Sequence, residues 1–200
     1  IIKGVIQSVT PKKLLRNRMI NYLDENLNRE DNIVIIADSL NNEIDSKLSE
    51  IFPNSIKIKP EFEGYILPEL LDSLLVDSLP NKVILESEIF TLISSVISQL
   101  NSQITSERAV KLYTTYRGNQ YDDKSINIKD LGNLAFTYTS ISKKLNNDSI
   151  SKFESRYLNL FGSLPNKDVI RGYDVTKDIL LRVLIDKNLN RTTKYDEQSY

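Results

Sequence analysis

The chain has 200 residues, 40% of them apolar, and a formal net charge of −1 from 26 basic and 27 acidic side chains. This apolar content suffices for the core of one domain or one and a half, and the balanced charge does not favour nucleic acid or an anionic membrane as a partner. Because the sequence contains no Cys and no His, it excludes disulfides and His-based catalytic triads, and we expect no metal site and no cofactor.

Apolar runs of strand length alternate with amphipathic helical patterns up to residue 116. The run Ile33–Ala37 is apolar throughout, which is typical of a parallel strand covered on both faces. Other strands are predicted at 56–58 (an edge), 82–85 and 110–116, and residues 1–9 suit a short strand or a segment that crosses between lobes. Helices are predicted at 11–27, with Thr10 as N-cap, and at 44–51, 68–75 and 89–100. This alternation favours a doubly wound, mostly parallel α/β sheet flanked by helices.

The alternation stops after Gly118. Residues 119–128 are polar and loop-like, and 129–134 predict one helical turn. Residues 135–138 predict a strand, which we assign to a different sheet. From Asn190 onward the sequence is polar, and we expect a poorly ordered tail.

Two further amphipathic helices are predicted between residues 153 and 184, on either side of a Gly and Pro break. Gly162 stands where a helix C-cap favours a residue that tolerates positive φ, and Asn166 or Asp168 can cap the next helix. The second helix carries an apolar stripe that we expect to be buried, formed by Val169, Tyr173, Leu180 and Leu184.

Residues 153–174, FESRYLNLFGSLPNKDVIRGYD, carry a family resemblance. They resemble the late helices of the type I periplasmic ligand-binding fold, as in branched-chain amino-acid binding proteins. The version here most resembles the domain linked to LysM (peptidoglycan-binding) modules in envelope proteins of Bacteroidetes. The resemblance covers about residues 10 to 190, and this stretch is its specific part.

The resemblance implies a non-catalytic ligand- or partner-binding domain of the periplasm or cell envelope, with an incomplete first lobe. Its expected partners are a small polar ligand, a cell-wall fragment or an envelope protein, without nucleic acid and without a membrane span in this segment. The sequence opens without Met or a basic segment, so we expect a piece of a longer polypeptide whose export signal is not visible here. We predict three parts: a parallel α/β lobe at 1–130, a crossover strand and helical hairpin of a second lobe at 131–190, and a polar tail at 191–200.

Ligands of open parallel sheets bind beyond the carboxyl ends of the strands, near the point where strand order reverses. This rule selects the segments that follow the strands predicted at 33–37, 82–85 and 110–116. The candidate ligand-binding residues in these segments are Ser39, Asn41, Ser87, Tyr116, Arg117 and Tyr121.

Structural interpretations compete with these assignments. Asp38, Ser39 and Asn42 are also typical turn and N-cap residues, and Arg117 is also a typical solvated loop residue. Acidic residues such as Glu86 and Glu88 favour a helix start through its dipole. The basic residues Lys12, Lys13, Arg16 and Arg18 lie on a helix followed by acids, which is typical of a solvated face.

No catalytic constellation stands out, and the adjacent pair Asp122 and Asp123 lacks a base or metal partner. No glycine motif for nucleotide binding occurs either, so an enzyme is not predicted. The main alternative to a ligand-binding domain is a scaffold or regulator of a cell-wall enzyme with a degenerate cleft. A cytoplasmic α/β enzyme is the third possibility.

Overall fold

The computed structural model describes residues 11–60, 64–140 and 152–185. Two compact units divide the chain: Pro11–Thr139, called the sheet unit below, and a second unit that contains the helices of residues 152–185. The predicted strand at 1–9, the predicted N-cap Thr10 and the predicted polar tail lie outside the described residues.

The described part of the sheet unit has four strands and five α-helices. The strands are β1 (Asn32–Ala37), β2 (Ile56–Ile58), β3 (Asn81–Glu86) and β4 (Val110–Tyr113). The helices are α1 (Lys12–Asn26), α2 (Asn42–Ile51), α3 (Pro68–Leu74), α4 (Phe90–Ser102) and α5 (Ile128–Asn133). Two 3-10 turns, Ser39–Asn41 and Asn119–Asp122, follow β1 and β4.

The four strands form one parallel sheet in the order β2-β1-β3-β4. This confirms the predicted parallel α/β sheet, including the edge position of β2. In the register of the central strands, Val34 of β1 lies between Ile56 of β2 and Val83 of β3. The apolar runs of β1 and β3 are buried because both strands are central.

Helices cover both faces of the sheet. One core lies between the sheet and helices α1 and α2, and it contains Met19, Leu23 and Leu48 together with the β1 side chains on that face. The other core lies between the sheet and helices α3 and α4, and it contains the β1 side chains on the opposite face. The chain runs from β1 to β2 in one direction and from β2 through β3 to β4 in the other. Crossovers of uniform handedness therefore place α2 on one face and α3 and α4 on the opposite face.

β4 is shorter than predicted because its continuation leaves the ladder. The amide of Thr114 donates to the carbonyl of Thr137 at 3.2 Å, and the amide of Thr115 donates to the Glu86 carboxylate. The strand predicted at 135–138 is a single parallel bridge between Tyr113 and Thr137, so its assignment to a different sheet is wrong. The predicted lobe boundary at residue 130 consequently falls inside the sheet unit, which extends to Thr139.

The second unit contains the predicted helix pair, α6 (Lys152–Phe161) and α7 (Lys167–Ile185). Gly162 ends α6 with φ +71°, and its amide donates to the Leu158 carbonyl at 2.8 Å. The side chain of Asn166 accepts hydrogen bonds from the amides of Asp168 and Val169 at 3.1 and 2.9 Å, so Asn166 caps α7. Both termini follow the predicted capping chemistry.

The buried stripe predicted for α7 is wrong. Leu180 is 58% exposed and Leu184 is 81% exposed, and Tyr173 is also exposed. Tyr173 stacks on Phe153 of α6 with ring centroids 4.0 Å apart. Leu180 lies seven residues past this stack, about 10 Å along the helix axis, so the contact with Phe153 does not cover it.

Candidate functional site

The carboxyl ends of β1 and β3 form the point where strand order reverses. The chain leaves β1 toward β2 on one side and leaves β3 toward β4 on the other, which opens a crevice between the two exits. Charged and amide side chains from three elements meet there. We call them the crevice cluster: Arg16, Asp38, Asn41, Glu86 and Glu88.

Arg16 of α1 reaches across this crevice. Its Nη2 donates to Oδ1 of Asn41 at 2.7 Å and lies 3.9 Å from Oε2 of Glu86 and 3.8 Å from Oε1 of Glu88. Asn41 in turn donates to Oδ1 of Asp38 at 2.9 Å. One guanidinium thus connects the exits of β1 and β3, and its side chain is mostly buried.

Two polar atoms of the cluster are buried and make no hydrogen bond within the described part of the chain: Nε of Arg16 and Oδ2 of Asp38. Oδ1 of Asp38 accepts from the amide of Leu40 at 2.9 Å, which confirms the turn role expected for Asp38. The cluster therefore contains polar atoms that have hydrogen-bond partners and two buried polar atoms that have none within the described part of the chain.

Glu86 is the most buried carboxylate of the cluster, only 1% exposed. Its oxygens accept from the amide of Thr115 at 2.5 Å and from the hydroxyl of Thr115 at 2.7 Å. Burial raises the pKa of Glu86 above its ordinary value despite these bonds and the nearby Arg16 charge. Glu86 is the last residue of β3 and anchors the segment after β4, so the helix-dipole interpretation of Glu86 is wrong.

Arg16 was missed as a functional residue because its helix was expected to present a solvated basic face. Lys13 and Arg18 are exposed as expected, but Arg16 is not. A signal existed in the sequence: Ile20 and Leu23 lie four and seven residues after Arg16, on the same helical stripe, and both are buried.

A second feature of the carboxyl edge is an open groove beside β4, with a volume of about 720 Å³. We call it the β4 groove; its lining residues fall between Arg117 and Tyr138. Three aromatic rings form a row in it. Tyr121 stacks on Phe136 with centroids 4.8 Å apart, and Phe136 meets Tyr138 at 5.1 Å.

Charged side chains lie at the rim of the β4 groove. Arg117 pairs with both carboxylate oxygens of Asp122 and lies 5.2 Å from the centroid of the Tyr138 ring. Asp123 accepts from the hydroxyl and the amide of Ser125, which lowers the pKa of Asp123. Asp122 and Asp123 thus bond to different side chains, Arg117 and Ser125.

Tyr121 belongs to the groove and also adjoins the crevice cluster. Burial of its side chain raises the pKa of the phenol, and the negative charge of Glu86 raises it further. A change in the charge of Glu86 therefore changes the electrostatic potential at a ring that lines the groove.

The six predicted ligand-binding residues separate into three groups. Asn41 belongs to the crevice cluster, and the ring of Tyr116 adjoins it, since the Lys12 ammonium that pairs with Glu88 lies 4.8 Å from the Tyr116 centroid. Arg117 and Tyr121 line the β4 groove. The other two have local positions: Ser87 accepts from the Ile89 amide at 3.0 Å, and Ser39 is exposed on its turn.

In residues 11–60, 64–140 and 152–185 no group of three or more acidic side chains is arranged to hold a metal ion, and no helix is long and apolar enough to cross a membrane. The aromatic row and the rim charges of the β4 groove offer flat apolar contact beside polar contact. Comparison of the chain with protein-family models, with curated proteins and with solved structures finds no match.

Proposed function

We propose that this chain is a non-catalytic binding domain and that its site is the β4 groove. The observation that carries the proposal is the aromatic row of Tyr121, Phe136 and Tyr138 along an open groove of about 720 Å³. Small-molecule sites are typically clefts of about 300 to 1,000 Å³ with apolar walls and a few polar groups.

The rim charges define the polar part of the ligand. Lys124 forms no ion pair within the described part of the chain, whereas Arg117 is held by Asp122. A ligand that combines an apolar or ring-shaped part with a carboxylate matches this arrangement, because the rings provide flat contact and Lys124 provides the charge. Cell-wall fragments and amino acids both have this composition.

The cellular setting of the proposal rests on the resemblance of residues 153–174 to the type I periplasmic ligand-binding fold. On that basis we place the domain in the periplasm or cell envelope, in an arrangement similar to proteins with LysM modules. The parallel α/β sheet is compatible with this fold, although many unrelated functions share such sheets.

The test is a thermal-shift screen of the full chain with amino acids and muropeptide fragments, followed by calorimetry of any hit. A ligand at one hundred times its Kd stabilises the folded state by about 2.7 kcal/mol. Arg117→Gln should weaken a groove ligand, because it removes the positive charge that lies 5.2 Å from the Tyr138 ring. Arg29→Gln is the matched control, since Arg29 also pairs with a nearby aspartate but lies before β1, at the opposite end of the sheet.

We also propose a second candidate, a scaffold or regulator of a cell-wall enzyme whose ligand crevice is degenerate. Arg16 supports it, because its guanidinium occupies the crevice between β1 and β3 and pairs there with the chain's own side chains. A screen in which no compound stabilises the chain, together with binding of a purified cell-wall enzyme, would favour this second candidate.

A further inference from the structure

The outermost part of the sheet, next to β4, is the segment 136–138. The amide of Thr137 donates to the carbonyl of Leu112 at 2.9 Å, and the carbonyl of Thr137 accepts from the amide of Thr114 at 3.2 Å. The main chain of Thr137 therefore faces inward, toward β4.

The main chains of Phe136 and Tyr138 face outward, because successive residues of an extended strand direct their polar groups to opposite edges. The amide of Phe136 donates to the carbonyl of Leu131 at 3.0 Å. The carbonyl of Phe136 and both main-chain groups of Tyr138 make no hydrogen bond within the described part of the chain. An edge with such groups is a template for another strand.

The two edges of the sheet differ in protection. The outer strand β2 carries the exposed charge of Lys57 and is followed by the exposed Lys59, and such charges discourage pairing with a further strand. The 136–138 edge, of sequence Phe-Thr-Tyr, carries no charge. This unprotected edge also adjoins a groove, since Phe136 and Tyr138 line the β4 groove.

The groove also provides space for a side chain next to these main-chain groups. Phe136 and Tyr138 lie on one face, as residues two apart in a strand do, and Ile128, which also lines the groove, is 82% exposed. A strand-like peptide presents main-chain groups at its edge and side chains at alternate positions, and a sugar or free amino acid does not.

We infer that the β4 groove binds an extended peptide segment that pairs with the carbonyl of Phe136 and the main chain of Tyr138. An apolar or aromatic side chain of the peptide packs between Phe136 and Ile128, and an acidic group of the peptide contacts Lys124. This inference rests on the proposed function, and it names the class of ligand that the groove takes.

The experiment uses the full chain and linear peptides selected from a phage-displayed library. Affinity of a labelled selected peptide is measured by fluorescence anisotropy, and the peptide is then N-methylated at one position at a time. Pairing predicts that methylation at alternate positions weakens binding about tenfold or more, whereas methylation at the intervening positions has little effect. Equal tolerance at all positions overturns the inference.

Two variants of one residue test the edge from the protein side. Tyr138→Ala removes the ring and keeps the outward amide, and Tyr138→Pro removes both, at an edge position where proline is tolerated. The inference expects Tyr138→Pro to weaken the peptide clearly more than Tyr138→Ala, with unchanged amide signals of β1 and β3 as the check on folding. Equal losses in the two folded variants overturn it. If Tyr138→Pro does not fold, the methylation series decides.

The outcomes separate this inference from the proposed function. Small compounds that bind in an Arg117-dependent manner, with no selected peptide binding the chain, overturn the inference and leave the binding domain standing. Failure of both compounds and peptides overturns both.

Discussion

The Glu86 carboxylate gives the chain a pH-dependent stability of defined sign. Burial raises its pKa, so the folded chain keeps the proton at pH values where the unfolded chain has lost it. The wild type has the full benefit of this group below the unfolded pKa of about 4.5 and loses it as the pH rises toward the folded pKa. The variant Glu86→Gln cannot ionise at this position. The difference in free energy of unfolding, variant minus wild type, should therefore rise as the pH increases from the unfolded to the folded pKa, and then level off. Urea titrations at successive pH values measure this difference.

Glu43 provides a control of opposite sign. It is exposed, and the hydrogen bond from Lys47 lowers its pKa. For Glu43→Gln the difference from the wild type should therefore fall slightly with rising pH. A Glu86→Gln difference that stays constant with pH, or that falls as in Glu43→Gln, would contradict the description of Glu86 as a carboxylate whose burial dominates.

Asn81, the first residue of β3, connects several segments at the amino-terminal end of the sheet. It is fully buried, and its side chain bonds both main-chain groups of Val76 and contacts Ala109 and Asn32. Asn81→Ala leaves several of these buried groups without partners, so we expect a loss of about 3 kcal/mol in urea denaturation. Asn26→Ala is the comparison.

Asn26 is exposed and makes one hydrogen bond, to the carbonyl of Tyr22 in its own helix. Its replacement should change stability by no more than about 0.5 kcal/mol. Similar effects at positions 26 and 81 would show that the Asn81 contacts contribute little.

The local chemistry of some residues is readable from the sequence, and that of others is not. Asp38 and Asn166 cap turns or helices through bonds two or three residues away, and both roles were predicted. The partners of Arg16 and Glu86 are remote in sequence, 25 residues away for Asn41 and 29 for Thr115. Charge pattern along a helix cannot reveal such partners, because the sheet brings them together.

At the scale of elements, Gly162 is required by the C-terminus of α6. Its φ of +71° lies in the left-handed region, where a Cβ is unfavourable by about 1–2 kcal/mol, although no atom crowds the position. Gly162→Ala should therefore destabilise the helix pair by about 1 kcal/mol. Hydrogen exchange of the segment 152–185 in the full chain measures this.

Gly172 is the matched control, because it lies inside α7 with open space around it. Gly172→Ala should stabilise α7 by up to about 1 kcal/mol, since glycine is the weaker helix former. Opposite signs at the two glycines are the expected outcome. Slower exchange in both variants would mean that the capping geometry at Gly162 is not needed.

The strands and helices of the sheet unit were predictable because their apolar residues form the faces that pack in the two cores. The apolar run of β1 and the period of α4 give the correct elements within one or two residues. The apolar face of α7 has the same period but is exposed at Leu180 and Leu184. Periodicity identifies a helix with an apolar face, and only packing determines whether that face is covered.

At the scale of the whole molecule, strand order decides where the site lies. Sequence predicts four parallel strands and hence a site at their carboxyl ends, but it cannot give the order β2-β1-β3-β4. This order places the crevice at β1 and β3, and the pairing of Thr137 with Tyr113 forms the β4 groove beside it. Tyr121 and Arg117 lie after β4, in the segment that the sequence selected, but their separation from Asn41 was not predicted.

The last prediction is that residues 11–140 fold without the remainder of the chain. Among the described residues, both apolar cores of the sheet are formed by side chains between Met19 and Phe136, and Thr139 donates a hydrogen bond to the Leu15 carbonyl at 3.1 Å. A chain of this size with two filled cores should unfold in one cooperative transition, with a urea dependence of roughly 1–3 kcal/mol per molar. Dispersed amide signals and slow exchange in β1 and β3 are the readout.

The matched fragment 11–130 lacks the Thr137 pairing and should be less stable, because β4 then loses its neighbour and the groove loses Phe136. A fragment 11–140 without a cooperative transition, or one no more stable than 11–130, would show that the sheet unit is not independent at these bounds.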